Sequence, residues 1–222
     1  MGTITCAEIE TNARALLRDA DPDGDFEHSS DELLNWIKEA HSAAVLLKPN
    51  VNTVNEAVLL AEGTRQELPA GGVSLVRAIN NMGADGQTPG PTITIVSRDT
   101  LDNADPNWHF STPSTTVEHY VFDEDDPTHF DIYPPQPASP HHIRLVFAKN
   151  PALPSSMADP ITIDDIYAPV LTDYVCYRAL SEDGDNPENR ARAEVFYTKF
   201  SEALGVKRNI EYVISPNTGV TQ

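Results

Sequence analysis

A chain of 222 residues with 34 acidic and 15 basic side chains carries a formal charge of −19. That balance argues against a nucleic-acid ligand, because phosphate binding needs clustered Lys and Arg, and it favours basic partners and a solvated acidic surface. The length allows one substantial core plus a subdomain, and no signal-peptide pattern or apolar run of membrane-spanning length is present. A cytosolic chain is therefore expected, with Cys6 and Cys176 as buried thiols rather than a disulfide.

Helical spacing comes first along the chain. Ile9, Ala13, Leu16 and Ala20 recur at intervals of four, three and four, which predicts one apolar helix face. Between this helix and the next, Asp19, Asp21, Asp23, Asp25 and Glu27 alternate in an EF-hand-like order with Gly24 at the sixth position. The twelfth position is Ser30, so the bidentate carboxylate of a calcium cage is lacking, and an acidic turn with Ser29 or Ser30 as helix cap accounts for the same residues. The second helix carries Leu33, Ile37, Ala40, Ala44 and Leu47 on one face, starts at a capping box of Ser29 and Glu32, and stops at Pro49. Trp36 borders that face and reads as core.

The middle changes character. Short β-branched and aromatic runs at 54–60, 65–68, 92–96, 119–122, 130–133 and 143–147 predict strands, and most of the 18 prolines fall among them or at their edges. Asp123 to Pro127 reads as a hairpin connection, whereas Tyr133-Pro134-Pro135-Gln136-Pro137 is expected to leave any central pairing. Trp108 reads as a loop anchor. His141 and His142, adjacent at a strand start, point to opposite faces and read as surface histidines, and His41, His109 and His129 are isolated.

Helical spacing returns with Ile166, Tyr167, Val170, Leu171, Tyr174 and Val175. A last helix runs through Ala193, Phe196, Phe200, Ala203 and Leu204, with Gly205 as its cap. Beyond it, Ile210-Glu211-Tyr212-Val213-Ile214 alternates like a strand awaiting a partner. The expected fold class is α+β. Residues 1–50 and 160–205 would form an antiparallel α-helical bundle, with a β-rich insert at 51–159 and an extended C-terminal tail at 206–222. No HExxH, HxxEH, CxxC or GxSxG spacing occurs, and neither Gly71-Gly72 nor Gly83 to Gly86 makes a phosphate cradle. No catalytic, cofactor or metal residues are assigned, and the chain is not read as an enzyme.

Several phrases taken in order carry a family likeness: Ala13 to Leu17, Leu33 to Ala40, Gly63 to Pro69, Arg98 to Asp102, Pro106 to His109, Tyr120 to Asp123, Phe130 to Pro135 and Asp173 to Ala179. This colinear series resembles the adaptor proteins of tailed bacteriophages, the head-to-tail connectors of short-tailed phages, to about Gly205. The resemblance implies a non-catalytic virion protein, assembled in the host cytoplasm. It implies a homo-oligomeric ring, typically of twelve copies, between the portal protein and the tail nozzle or tail tubular protein, with viral DNA passing through unbound. It also implies that the C-terminal extension docks on the portal, which makes Lys207, Arg208, Ile210, Tyr212 and Ile214 the candidate contacts. Two other readings remain: a virion module binding calcium or carbohydrate, with the 19–27 loop as its site, and a cell-wall glycan hydrolase using a carboxylate pair.

Overall fold

The computed structural model describes residues 3–19, 26–182 and 186–214, with 206–214 as backbone alone. It is a mixed α+β structure, and among the described residues it has five α-helices and two β-sheets. The helices are α1 (Cys6–Leu17), α2 (Ser30–Leu47), α3 (Arg98–Ala104), α4 (Ala168–Glu182) and α5 (Pro187–Ile214). The strands are β1 (Thr53–Leu59), β2 (Gly63–Glu67), β3 (Gly72–Asn81), β4 (Thr94–Ile95), β5 (His119–Phe122), β6 (His129–Gln136) and β7 (His142–Lys149). The chain divides into two compact units, one of Met1–Val51 with Pro151–Gln222 and one of Asn52–Asn150.

In the helical unit α1, α2, α4 and α5 share one core, built from Ile9, Ala13, Leu33, Ile37, Ala40, Leu171, Val175, Phe200 and Leu204. Trp36 is part of it, and Cys6 and Cys176 are buried free thiols. The capping box at Ser29 forms as its sequence predicts: the Glu32 amide donates to Ser29 Oγ, and Ser29 N donates to Glu32 Oε2 at 2.8 Å. Helix α1 has a second box, Thr5 with Glu8, whose spacing was equally readable. Its next two amides are also satisfied. Cys6 N donates to Asp159 O and Ala7 N to Met157 O, each at 2.9 Å, while Ile161 N donates to Ile4 O. Orphan donors at a helix start thus bind the segment returning from the β unit, whose Ile161 and Ile163 enter the helical core. Residues 151–159 accordingly group with the helices rather than with the insert.

Gly205 is not a cap. Helix α5 passes through it and continues to Ile214, so Ile210, Tyr212 and Ile214 lie on a helix instead of an extended strand. One glycine costs a helix about 1 kcal/mol relative to Ala, which good helix formers on both sides absorb. A Cβ added at Gly205 would meet nothing within 4 Å. Gly205→Ala is therefore expected to raise stability by about 0.5–1 kcal/mol, measured as an increased urea midpoint, and to leave the fold unchanged. A loss of stability would mean that the helix does not run through this position.

The β unit has a three-stranded sheet in the order β1-β7-β3 and a four-stranded sheet in the order β2-β6-β5-β4. All neighbours are antiparallel except β4 with β5. Leu75, Leu145 and Phe147 from the first sheet and Tyr120, Phe130 and Ile132 from the second meet in one core, so the sheets stack face to face. The Asp123–Pro127 connection joins antiparallel β5 and β6, as expected. Strand β6, however, continues through Pro134 and Pro135 in a central position. Its pairing with β2 shifts register between Gly63 and Arg65, so neither proline has to donate to the ladder, and Gln136 resumes the pairing opposite Gly63.

Buried amide side chains tie the turns to this sandwich. Asn81 donates to Val117 O at 2.8 Å and accepts from Val117 N at 2.8 Å. Gln66 accepts from Ala61 N and donates to its carbonyl. Gln136 donates to Ser114 O and accepts from His141 N. Each satisfies loop backbone that no strand reaches. Trp108 is fully buried beside Leu101 and Val121, with Nε1 donating to Asp102 Oδ1 at 2.8 Å, so it anchors its loop.

Candidate functional site

The residues assigned to portal contact, Lys207, Arg208, Ile210, Tyr212 and Ile214, lie on the last turns of α5, and their side chains fall outside the described residues. So do 20–25, the centre of the EF-hand-like loop. The ends of that loop have structural partners. Asp19 pairs through one oxygen with Arg14 at 2.7 Å and accepts from Glu27 N with the other at 2.9 Å, while Ser30 donates to Glu10. Among the described residues no three His, Cys, Asp or Glu side chains gather in a way that could hold a metal ion.

The histidines separate. His41, read from the sequence only as isolated, is fully buried. Its Nδ1 lies 2.7 Å from Ile37 O and must donate to it, so Nε2 accepts from Thr162 N at 3.3 Å. Helical spacing foretold this, since His41 follows Ala40 onto the core side of α2. Burial pushes the ring below its ordinary value of 6.5. The folded state then binds the proton more weakly than the unfolded chain does. The corresponding stability is complete above about pH 6.5 and is lost as pH falls through the folded value, at no more than about 1.4 kcal/mol per pH unit. His41→Gln should flatten this part of the profile between about pH 5 and pH 7; matching urea midpoints in the two proteins would remove His41 from the account. His109 stacks on Trp108 and bonds Thr64, and His141 and His142 are half-buried at the start of β7.

Two concave sites are formed by described residues. The first lies in the β unit, a small crevice of about 40 Å³ where Arg65, Arg98, Asp126, His129 and Asp131 converge. Arg65 meets Asp126 at 2.5 Å, His129 Nδ1 lies 2.8 Å from the same carboxylate, and Arg98 pairs with Asp131. The hydrogen bond from His129, followed by that from Arg65, holds the Asp126 carboxyl below its usual range. Each cation already has an anion, so this network pins α3 and the β5–β6 turn to the sheet.

The second lies in the helical unit, an open groove of about 690 Å³ between the later turns of α1, with Ile4 before it, and the first turns of α4. Ile4, Ala15, Leu16, Ile166 and Pro169 make it mainly apolar. Leu16 is 48% exposed and Ile166 59%, although both belong to stripes whose spacing predicts burial. Their neighbours Ala13 and Tyr167 are buried as expected, so these apolar faces are wider than the core inside one chain. Asp173 lies half-buried at the edge, where burial pushes its carboxyl above the ordinary range against the pull of Lys199. Asp165 accepts from Thr3 N, Thr3 Oγ1 and Ile4 N.

The paired-charge crevice is structural, whereas the exposed apolar groove is a surface of the kind that interaction sites carry. The chain belongs to the SU10 adaptor protein family, whose model matches residues 4–219. No curated protein matches it. It is thus a structural adaptor of the phage virion, in keeping with the resemblance carried by its colinear phrases. Among the described residues no helix is long and apolar enough to cross a membrane.

Proposed function

We propose that the chain is a head-to-tail adaptor whose copies form a ring, typically of twelve, on the portal protein, present a surface to the tail nozzle, and continue the channel for viral DNA. The observation that carries this reading is the family match along nearly the whole chain. In this reading the four helices sharing one core are the antiparallel bundle of the adaptor body, and the β unit is its insert. The charge of −19 per copy supports a channel wall that repels DNA, within the reach of about 8 Å that physiological salt permits. The portal contact falls to the segment after Gly205, with Lys207, Arg208, Ile210, Tyr212 and Ile214. The helical backbone through Ile214 favours a helix laid in a groove over an added strand.

The test mixes the protein with its cognate portal ring and images the product by electron microscopy, the full chain against a version ending at Gly205. The full chain should add a rotationally symmetric layer that the shortened one does not. A full chain that leaves the portal bare would sink the connector reading. A shortened chain that still adds the layer would move the portal contact elsewhere.

A further inference from the structure

The groove between α1 and α4 holds one charge that its own chain does not satisfy. Asp173 lies half-buried on the rim, and among the described residues no donor hydrogen-bonds its carboxylate and no cation forms an ion pair with it. Lys199, whose field reaches it, is laid over the Phe196 ring instead, 5.0 Å from the ring centre. Burial outweighs that field and raises the carboxyl above its ordinary range, so at neutral pH folding loses by keeping the charge there. Asp165, by contrast, accepts from Thr3 N, Thr3 Oγ1 and Ile4 N and is satisfied.

The floor of the groove, with Ile4, Ala15, Leu16, Ile166 and Pro169, is apolar. An apolar floor with one unpaired anion on its rim matches a Lys or Arg side chain set among aliphatic ones: the stem lies on the floor while the cation meets the carboxylate. A wholly apolar or acidic segment would bury the same carboxylate deeper and leave it alone, at a higher cost.

Position supplies the partner. Helices α4 and α5 run antiparallel, with Tyr177 against Tyr197 and Tyr174 against Phe200, each pair of ring centres 5.0 Å apart. The same register sets Gly205 beside the start of α4, where Ile166 and Pro169 line the groove. The backbone of α5 therefore runs on past the bundle to Ile214 at the groove's own end. A protein that grips the segment after Gly205 comes to lie over the groove as well.

We propose that the groove is the adaptor body's share of the portal contact, and that it takes a portal segment carrying Lys or Arg among aliphatic side chains, with the cation on Asp173. This contact rests on the connector reading above and adds a second anchor to it.

The test measures the concentration of full chain that half-fills the cognate portal ring, by sedimentation of labelled protein with the ring. Asp173→Asn and Leu16→Asn should each need at least about tenfold more protein than wild type, the scale of one charge-assisted hydrogen bond or one interface anchor. Asp173→Asn should melt no lower than wild type at neutral pH, because it removes a charge that folding disfavours, and its binding should fall less steeply with added salt. If both variants bound within about twofold of wild type while the chain ending at Gly205 failed to bind, the groove contact would be overturned and the connector reading would stand. Loss in Leu16→Asn alone would overturn the cation on Asp173, and a lowered melting temperature in Asp173→Asn would make that carboxylate structural and overturn its role in binding. A wild-type chain that leaves the portal bare would overturn the groove contact and the connector reading together.

Discussion

Phe147→Ala is expected to destabilise the β unit by about 3–5 kcal/mol, seen as a lowered denaturation midpoint in a probe specific to that unit. Strand β7 is central in its sheet, and Ile143, Leu145 and Phe147 project into the space between the two sheets with 1% exposure or less. Phe147 sits opposite Val54 on β1 and Leu75 on β3, and Leu75 belongs to the same buried cluster. Truncation removes the ring and leaves a void whose walls are backbone ladders on both sides, which cannot close over it. Phe147→Leu keeps most of the volume and should cost under about 1.5 kcal/mol. If the alanine variant lost less than about 1 kcal/mol, the two sheets would not depend on this side chain for their packing.

The same strand shows why part of the fold was legible. In β7 alternation is clean through Phe147, since the extra residues at its register shifts with β3 lie on β3, and its apolar run was visible at 143–147. Strand β3 is longer, yet its sequence did not read as a strand. Register shifts between Leu75 and Arg77 and between Ala78 and Asn80 move its buried side chains to a spacing of three, which breaks the period of two that marks a strand. Helix α3 escaped for another reason: with seven residues it has one buried contact, Leu101, and only Ser97 accepting from Thr100 N announces its start. Strand β6 runs on through two prolines because its partner shifts register there, a non-local cause that no local reading contains. The groove was hidden differently. Leu16 and Ile166 have the spacing of core residues, and only the packed chain shows that its own core ends before them. Spacing records that a face wants burial, but not whether the same chain supplies it.

Arg14→Ala is expected to cost about 3–5 kcal/mol, as removal of one member of a buried ion pair does. Arg14 and Asp19 are both nearly inaccessible, with side-chain exposures of 9% and 6%. The guanidinium binds Glu10 through Nε and Nη2, Asp19 through Nη1 at 2.7 Å, and His28 O at 2.9 Å, and its face lies 4.0 Å from the centre of the Phe26 ring. One side chain thus joins the end of α1 to both the exit from α1 and the approach to α2. Without it, Asp19 and Glu10 keep only Glu27 N and Ser30 Oγ as described donors, and their charge loses its cation where water has little access. Arg14→Lys should recover only a small part of the loss, because a single ammonium cannot reach all these acceptors in the plane that guanidinium defines. Added salt should change the wild-type stability little through this site, since buried pairs are weakly screened, whereas an exposed pair such as Arg178 with Glu39 would weaken. An alanine variant within about 1 kcal/mol of wild type would mean that the α1–α2 connection holds its shape by other contacts.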